Sequence, residues 1–141
     1  MLDEGDLLIV RTNGSIDLIG RSAVVQDGVD AAFASYLIRY QVRRDLVRPQ
    51  WIQAMLSAPQ MRRRMESLAA SSAGQYNLSL AKLNPLDVPV PPLEEQDRRL
   101  AHLADATNEL ARLRAAIDST VVRSSALRRS LLSAAVSGQL N

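Results

Sequence analysis

The residues best equipped for chemistry in this chain are amides and guanidiniums. Gln75 and Asn77 flank Tyr76 in the stretch "SAGQYNLSL". A carboxamide both donates and accepts, so either side chain can pair with an adenine edge in a bidentate way. Tyr76 could stack on a base or bond a phosphate, and Ser72, Ser79 and the Gly74 N–H suit phosphate oxygens. The same composition also suits an ordinary loop whose Asn and Ser bond their own backbone. A second set, Arg11, Asn13 and Ser15, lies on "RTNGS", where a tight turn would hold side chains out stiffly; a hairpin with a solvated Arg is the plain alternative. A third, Arg62, Arg63 and Arg64, could follow a nucleic-acid backbone or simply face solvent.

Catalytic constellations are missing from this inventory. The chain has no Cys, and its single His, His102, has no metal-ligand spacing around it, so neither thiolate nor metal chemistry is expected. "NPLD" at Asn84 to Asp87 superficially resembles the Asn-Pro-Pro-aromatic motif of adenine methyltransferases, but it lacks the second Pro, the aromatic and a Gly-rich cofactor loop. No nucleophile, base and orienting group stand together. A binding protein is expected, not an enzyme.

The 141 residues suffice for one ordinary domain. Hydrophobic residues make up 47% and aromatics 4%, so the core must be Leu, Val, Ile, Ala and Met. Net charge is only +2, and Lys82 is the sole lysine. Arg is the better bidentate partner for phosphate and guanine, although a GC-rich genome gives the same bias. No apolar run reaches the length of a membrane span, and the acidic start "MLDEGDLLIV" is unlike a secretory signal. A cytoplasmic protein without membrane contact is expected.

The elements that must position these residues follow from periodicity. "GDLLIVRT" reads as a buried strand, "NGSIDLIG" opens on the Asn-Gly turn signal, and "RSAVVQ" would be the returning strand. "FASYLIRYQV" alternates as a strand with one buried face, with a helix from near Ala31 as the competitor. "RPQWIQAMLS" is a helix with Pro49 in its first turn and a face of Ile52, Met55 and Leu56. "SAPQ" has capping-box spacing, so a second helix restarts there, with Met61, Met65, Leu68 and Ala69 on one face. Residues 71–79 form a loop by composition, "LAKL" allows one helical turn, and "LDVPVP" is extended.

From Leu93 the pattern becomes one long helix, to about residue 136. Glu94, Glu95 and Asp97 come first, Arg123, Arg128 and Arg129 late, and Gly138 beyond, the order that complements a helix dipole and then stops it. Leu103, Leu110, Ile117, Ser124 and Leu131 recur every seven residues, and Ala106, Leu113, Thr120, Leu127 and Ala134 follow each by three. This a/d seam asks for a partner helix, and the chain holds no second helix of that length. The fold expected is α+β: a small mixed α/β domain over 1–92, then a coiled-coil helix over 93–141.

In order, "GDLLIVRTNGS", "GRSAVV", "SAGQYNLSLAKLNPLDVPVPPLEEQ", the long helix and "SLLSAAVSGQL" resemble the C-terminal part of a type I restriction–modification specificity subunit. The Pro-Pro-Leu-Glu-Glu-Gln strap with a following long helix is the most specific element. The ending departs from the family, in which Phe is common where Ala135 or Val136 stands here. The resemblance implies a partial target recognition domain followed by a conserved spacer helix. It implies double-stranded DNA and a methyltransferase (modification) subunit as partners. S-adenosylmethionine is expected on that partner, with no cofactor in this chain. Arg11, Asn13, Ser15, Arg62, Arg63, Gly74, Gln75, Tyr76, Asn77 and Ser79 become the expected DNA contacts. Leu103, Leu110, Leu113, Ile117, Leu127 and Leu131 become the expected pairing face of an antiparallel homodimer. Only part of one recognition domain and one spacer helix are present, so a fragment is expected. A structural module that dimerises without reading DNA is the alternative.

Overall fold

A computed structural model describes residues 1–27 and 31–137. The expected helix-stopping Gly138 and the end of "SLLSAAVSGQL" fall outside the described residues. Two compact units divide the chain, Met1–Leu100 and Ala101–Asn141.

The first unit is built around β1 (Leu7–Val10), whose Leu7 and Ile9 are buried while Leu8 and Val10 are not both sealed from solvent. This alternation is what a strand with one core face requires. Strand β3 (Ser22–Val24) pairs antiparallel on one side, with Ile9 opposite Ser22, and β4 (Leu37–Tyr40) on the other, with Ile9 opposite Ile38. The segment 37–40 is therefore a strand, and its β-branched and aromatic content outweighs the competing helix.

Asn13–Gly14 does not make the expected tight hairpin. Such a turn needs positive φ at both central residues, and among the described glycines only Gly5, Gly20 and Gly74 have it. Instead β2 (Thr12–Asn13) leaves the first sheet, a 3-10 turn follows at Ile16–Leu18, and the chain returns through Gly20. Gly20 has φ +73°, and a Cβ there would lie 2.8 Å from the Met65 sulfur, so a larger residue would displace a fully buried side chain.

Helices α1 (Pro49–Ser57) and α2 (Pro59–Leu68) cover the sheet. Leu56 and Met65 are buried, and Ile52, Met61, Leu68 and Ala69 pack against the same core. The buried Trp51 was not anticipated. The capping box also fails to form. Ala58 is the N-cap of α2 without a side-chain bond, and the Ser57 hydroxyl instead donates back to the Gln53 carbonyl at 2.8 Å. Pro59 at the first helical position restarts the helix by its fixed φ.

The polar stretch expected to be a loop is a β-hairpin. Strands β5 (Ala70–Ser72) and β6 (Gln75–Asn77) pair with Ser72 opposite Gln75. Ala73 at φ 50° and Gly74 at φ 78° make the two-residue turn, both in the left-handed region that a type I′ turn demands. Strand β2 adds to β6, giving the order β2-β6-β5. A single turn, α3 (Leu80–Leu83), and the extended proline segment lead into α4 (Leu93–Val136).

Helix α4 has 44 residues, about 66 Å at 1.5 Å per residue. Glu94 and Glu95 occupy its first turn, but its last turn holds no basic residue: it runs past Arg129 through a segment rich in the helix formers Leu and Ala. Across the described part of the second unit, residues 101–137, no residue is buried. Leu103, Leu110, Leu113, Ile117, Leu127 and Leu131 are all more than half exposed. Val121, Val122 and Leu132, outside the heptad seam, are exposed too.

Candidate functional site

The structure brings Asn13 of the second candidate set onto one small sheet with Gln75, Tyr76 and Asn77 of the first, and Arg11 immediately precedes that sheet. Thr12 stands opposite Asn77 and Asn13 opposite Tyr76, and Asn77 and Tyr76 in turn face Ala70 and Ser71. Strand alternation therefore puts Gln75 and Asn77 on one face with Thr12 and Ser72, and Tyr76 with Asn13 on the other. Tyr76 packs against the core, while Gln75 and Asn77 are exposed. Neither amide side chain has a hydrogen-bond partner among the described residues, so both remain able to donate and accept. The Leu78 N–H donates to the Arg11 carbonyl at 2.8 Å, and Leu78 is fully buried. These contacts fasten the end of the hairpin beside Arg11.

Arg11 is half-buried, and its Nε is shielded from water without an acceptor. Asn13 spends its side-chain oxygen locally, accepting from the Ser15 N–H at 2.9 Å, and the Ser15 hydroxyl donates to Asp17 at 3.1 Å. This Asx-type bond shapes the turn that the Asn-Gly pair was expected to make as a hairpin. Gly74 supplies the hairpin turn, and nothing lies within 4 Å of where its Cβ would be, so the tip is open. Ser79 precedes α3 and caps it only through its carbonyl, which accepts from the Lys82 and Leu83 N–H groups.

The arginine run divides. Arg62 is bound within the unit: its guanidinium donates to the Asp17 carbonyl at 2.9 Å, to the Ile19 carbonyl, and to Glu66 at 3.1 Å. Arg63 and Arg64 are exposed. Arg62 thus fixes the 3-10 turn to α2, and Arg63 and Arg64 carry the open charge.

A polar anchor that periodicity does not reveal sits at the start of α4. Gln96 is 0% exposed. Its Oε1 accepts from the Arg48 N–H at 2.9 Å, and its Nε2 donates to the Leu46 carbonyl at 3.0 Å and the Pro91 carbonyl at 2.6 Å. Beside it Arg48 makes a two-point pair with Asp97, 2.8 Å for each contact, and the Trp51 indole N–H donates to the Pro89 carbonyl at 2.8 Å. The Arg48 hydrogen bond holds the Asp97 carboxyl below its usual range. The strap is thereby tied to the start of α1. The only sequence signal is the Gln that closes the strap motif, hidden in an otherwise charged turn.

Asp6, just before the central strand β1, is buried and paired with Arg39 at 2.6 Å. Burial pushes its carboxyl up, but the Asp3 N–H and the Arg39 guanidinium together outweigh this and hold it below its ordinary value.

No helix among the described residues is long and apolar enough to cross a membrane. No protein-family model matches the chain. Its full length is nevertheless similar to curated proteins of one kind. It is 25% identical over 141 residues to the type I restriction enzyme EcoKI specificity subunit of Escherichia coli (strain K12), covering 99% of this chain and 30% of that protein. It is 24% identical over 140 residues to the StySPI specificity subunit of Salmonella potsdam, again covering 99% and 30%. The chain thus spans just under a third of the length of the curated relatives it matches. In sequence, this chain, with its mixed α+β fold and long C-terminal helix, resembles part of a type I restriction enzyme specificity subunit.

Proposed function

We propose that this chain is a DNA-reading, non-catalytic piece of a type I specificity subunit, contributing to one half-site and to docking of a methyltransferase subunit. The observation that carries this reading is the β2-β6-β5 sheet, which presents the exposed, unpartnered amides of Gln75 and Asn77 beside Arg11. The likeness to specificity subunits supplies the class of partner. S-adenosylmethionine belongs to the methyltransferase in this reading, and the chain alone neither methylates nor cleaves. A gel shift with the cognate methyltransferase subunit added and withheld tests it. A sequence-specific shift in the mixture is expected; no specific shift under either condition would remove the DNA-reading role.

A second role is favoured by the bare helix of the second unit. Leu110 is 67% exposed and Ile117 64%, and fully burying such a side chain is worth about 1.5–3 kcal/mol. An antiparallel homodimer through Leu103, Leu110, Leu113, Ile117, Leu127 and Leu131 would cover the row. It would also set Glu94 and Glu95 toward Arg128 and Arg129, whereas parallel pairing sets like against like. Light scattering at micromolar concentration should give a dimer mass, and Leu110→Glu with Leu127→Glu a monomer or aggregate. A monomeric, fully helical wild type would end this reading. Dimerisation without any DNA shift would favour a purely structural module.

A further inference from the structure

A polar cleft is lined by Gly20, Arg21, Ser22, Ser57 and Arg62, none of them a residue of the β2-β6-β5 sheet. Its donors outnumber the acceptors that meet them. One neutral acceptor, the Asp17 carbonyl, takes a hydrogen bond from Arg21 Nε at 3.0 Å and another from Arg62 Nη2 at 2.9 Å. Two guanidiniums are therefore gathered at a single backbone oxygen. Among the described residues no carboxylate lines the cleft. Of the nearby acids, Glu66 pairs with Arg62, and the Asp17 carboxylate, which accepts from the Ser15 hydroxyl, is not among the residues lining the cleft. The outer nitrogens of Arg21 have no partner among the described residues.

A second observation is independent of charge. The Ser22 hydroxyl oxygen is buried and has no hydrogen-bond partner. Buried polar groups are ordinarily paired, and an exception calls for a ligand or a cost. Gly20 leaves the cleft wall without a side chain, and its own φ of +73° disfavours any replacement. Like charges drawn together beside an unpaired hydroxyl are the donor set of an oxyanion site. Guanidinium forks match phosphate geometry, and a phosphoryl group has enough acceptor oxygens for both Arg and Ser donors at once.

We propose that the cleft formed by Gly20, Arg21, Ser22, Ser57 and Arg62 is a binding site for a phosphoryl group, with Arg21 the reaching donor and Arg62, held by Asp17, Ile19 and Glu66, offering only the N–H groups those bonds leave over. The site stands on its own geometry and does not depend on the amides of the hairpin.

Amide proton–nitrogen NMR titration of the full chain with sodium phosphate, against sodium acetate and sodium chloride at equal ionic strength, tests it. Phosphate should give saturable shifts centred on Gly20, Arg21, Ser22 and Ser57, about tenfold or more tighter than acetate. Arg21→Gln should abolish them while keeping the wild-type fold, because Arg21 is exposed. Ser22→Ala should weaken them. Phosphate acting no more strongly than acetate, or an Arg21→Gln chain that titrates like wild type, would overturn the site. A duplex oligonucleotide that displaces inorganic phosphate would identify a DNA backbone phosphate as the natural source. A duplex that leaves bound phosphate in place would identify a separate phosphorylated compound; that outcome keeps the site and counts against the DNA reading.

Discussion

Gln96 and Gln75 carry the same carboxamide on either side of the proline strap, and their surroundings give it opposite uses. Gln96 is sealed from solvent and spends its amide on three backbone groups. Gln75 is exposed on the outer face of a short hairpin and spends its amide on none. A polar side chain saturated inside the protein can only hold structure; one left open can meet something else. In this chain, hydrogen-bond saturation separates anchor from candidate contact more sharply than residue type does.

The harshest way to break this contrast is Gln96→Leu. It leaves the Arg48 N–H and the Leu46 and Pro91 carbonyls without their partner in a buried place. Each such loss costs about 1–3 kcal/mol, so the summed destabilisation should be about 3 kcal/mol or more, read as a lower urea midpoint. An unchanged midpoint would show that water replaces the amide and that the anchor is dispensable.

Asp6 sharpens the anchor side through pH. Its carboxyl is held below its ordinary value of 3.8 in the fold. Its charge therefore contributes stability fully above that value and loses it as pH falls through the lower folded one. Asp6→Asn should unfold more readily than wild type near neutral pH, and the gap should close as both are taken to about pH 2. A gap that persists undiminished in acid would assign the effect to packing instead of charge.

The smallest effect on stability is expected at the open end. Gln75→Ala with Asn77→Ala should change the unfolding free energy by less than about 0.5 kcal/mol. In a reconstituted complex either single change should cost roughly 1–3 kcal/mol and relax specificity at one position. Arg63→Ala should weaken all sequences alike and flatten the salt dependence. Unaltered specificity in the double variant would remove the hairpin from the reading face.

Legibility in the sequence followed the same line between apolar pattern and polar pairing. Strands β1, β3 and β4 and helices α1, α2 and α4 announce themselves by period, because each buries an apolar face or, in α4, repeats one. The hairpin of β5 and β6 does not. Ser71, Ser72, Gln75 and Asn77 have no alternating hydrophobicity; they are strands because β2 supplies hydrogen bonds from a distant segment and because Ala73 and Gly74 accept left-handed φ. Asn13–Gly14 failed as a hairpin signal for the converse reason: its strand was claimed by β6, and the Asn13 side chain turned the chain by bonding Ser15. The amides stand out by type, but their meeting with Asn13 on one sheet, with Arg11 just before it, is a tertiary fact. Gln96 was invisible because one buried amide among Glu94, Glu95 and Asp97 looks like solvated helix.

The bonds around Gln96 also set a clock. They link residues 46 and 48 with 96, and Arg48 with Asp97, across separations of 48 to 50 positions. Closing so long a loop is entropically costly until other contacts shorten it. A helix such as α4 elongates locally, on the order of nanoseconds per residue. On a ribosome adding about 5–20 residues per second, Leu46 and Arg48 wait several seconds for their partner to be made. The segment that begins α1 is thus committed to its final place by one of the last parts of the first unit to emerge.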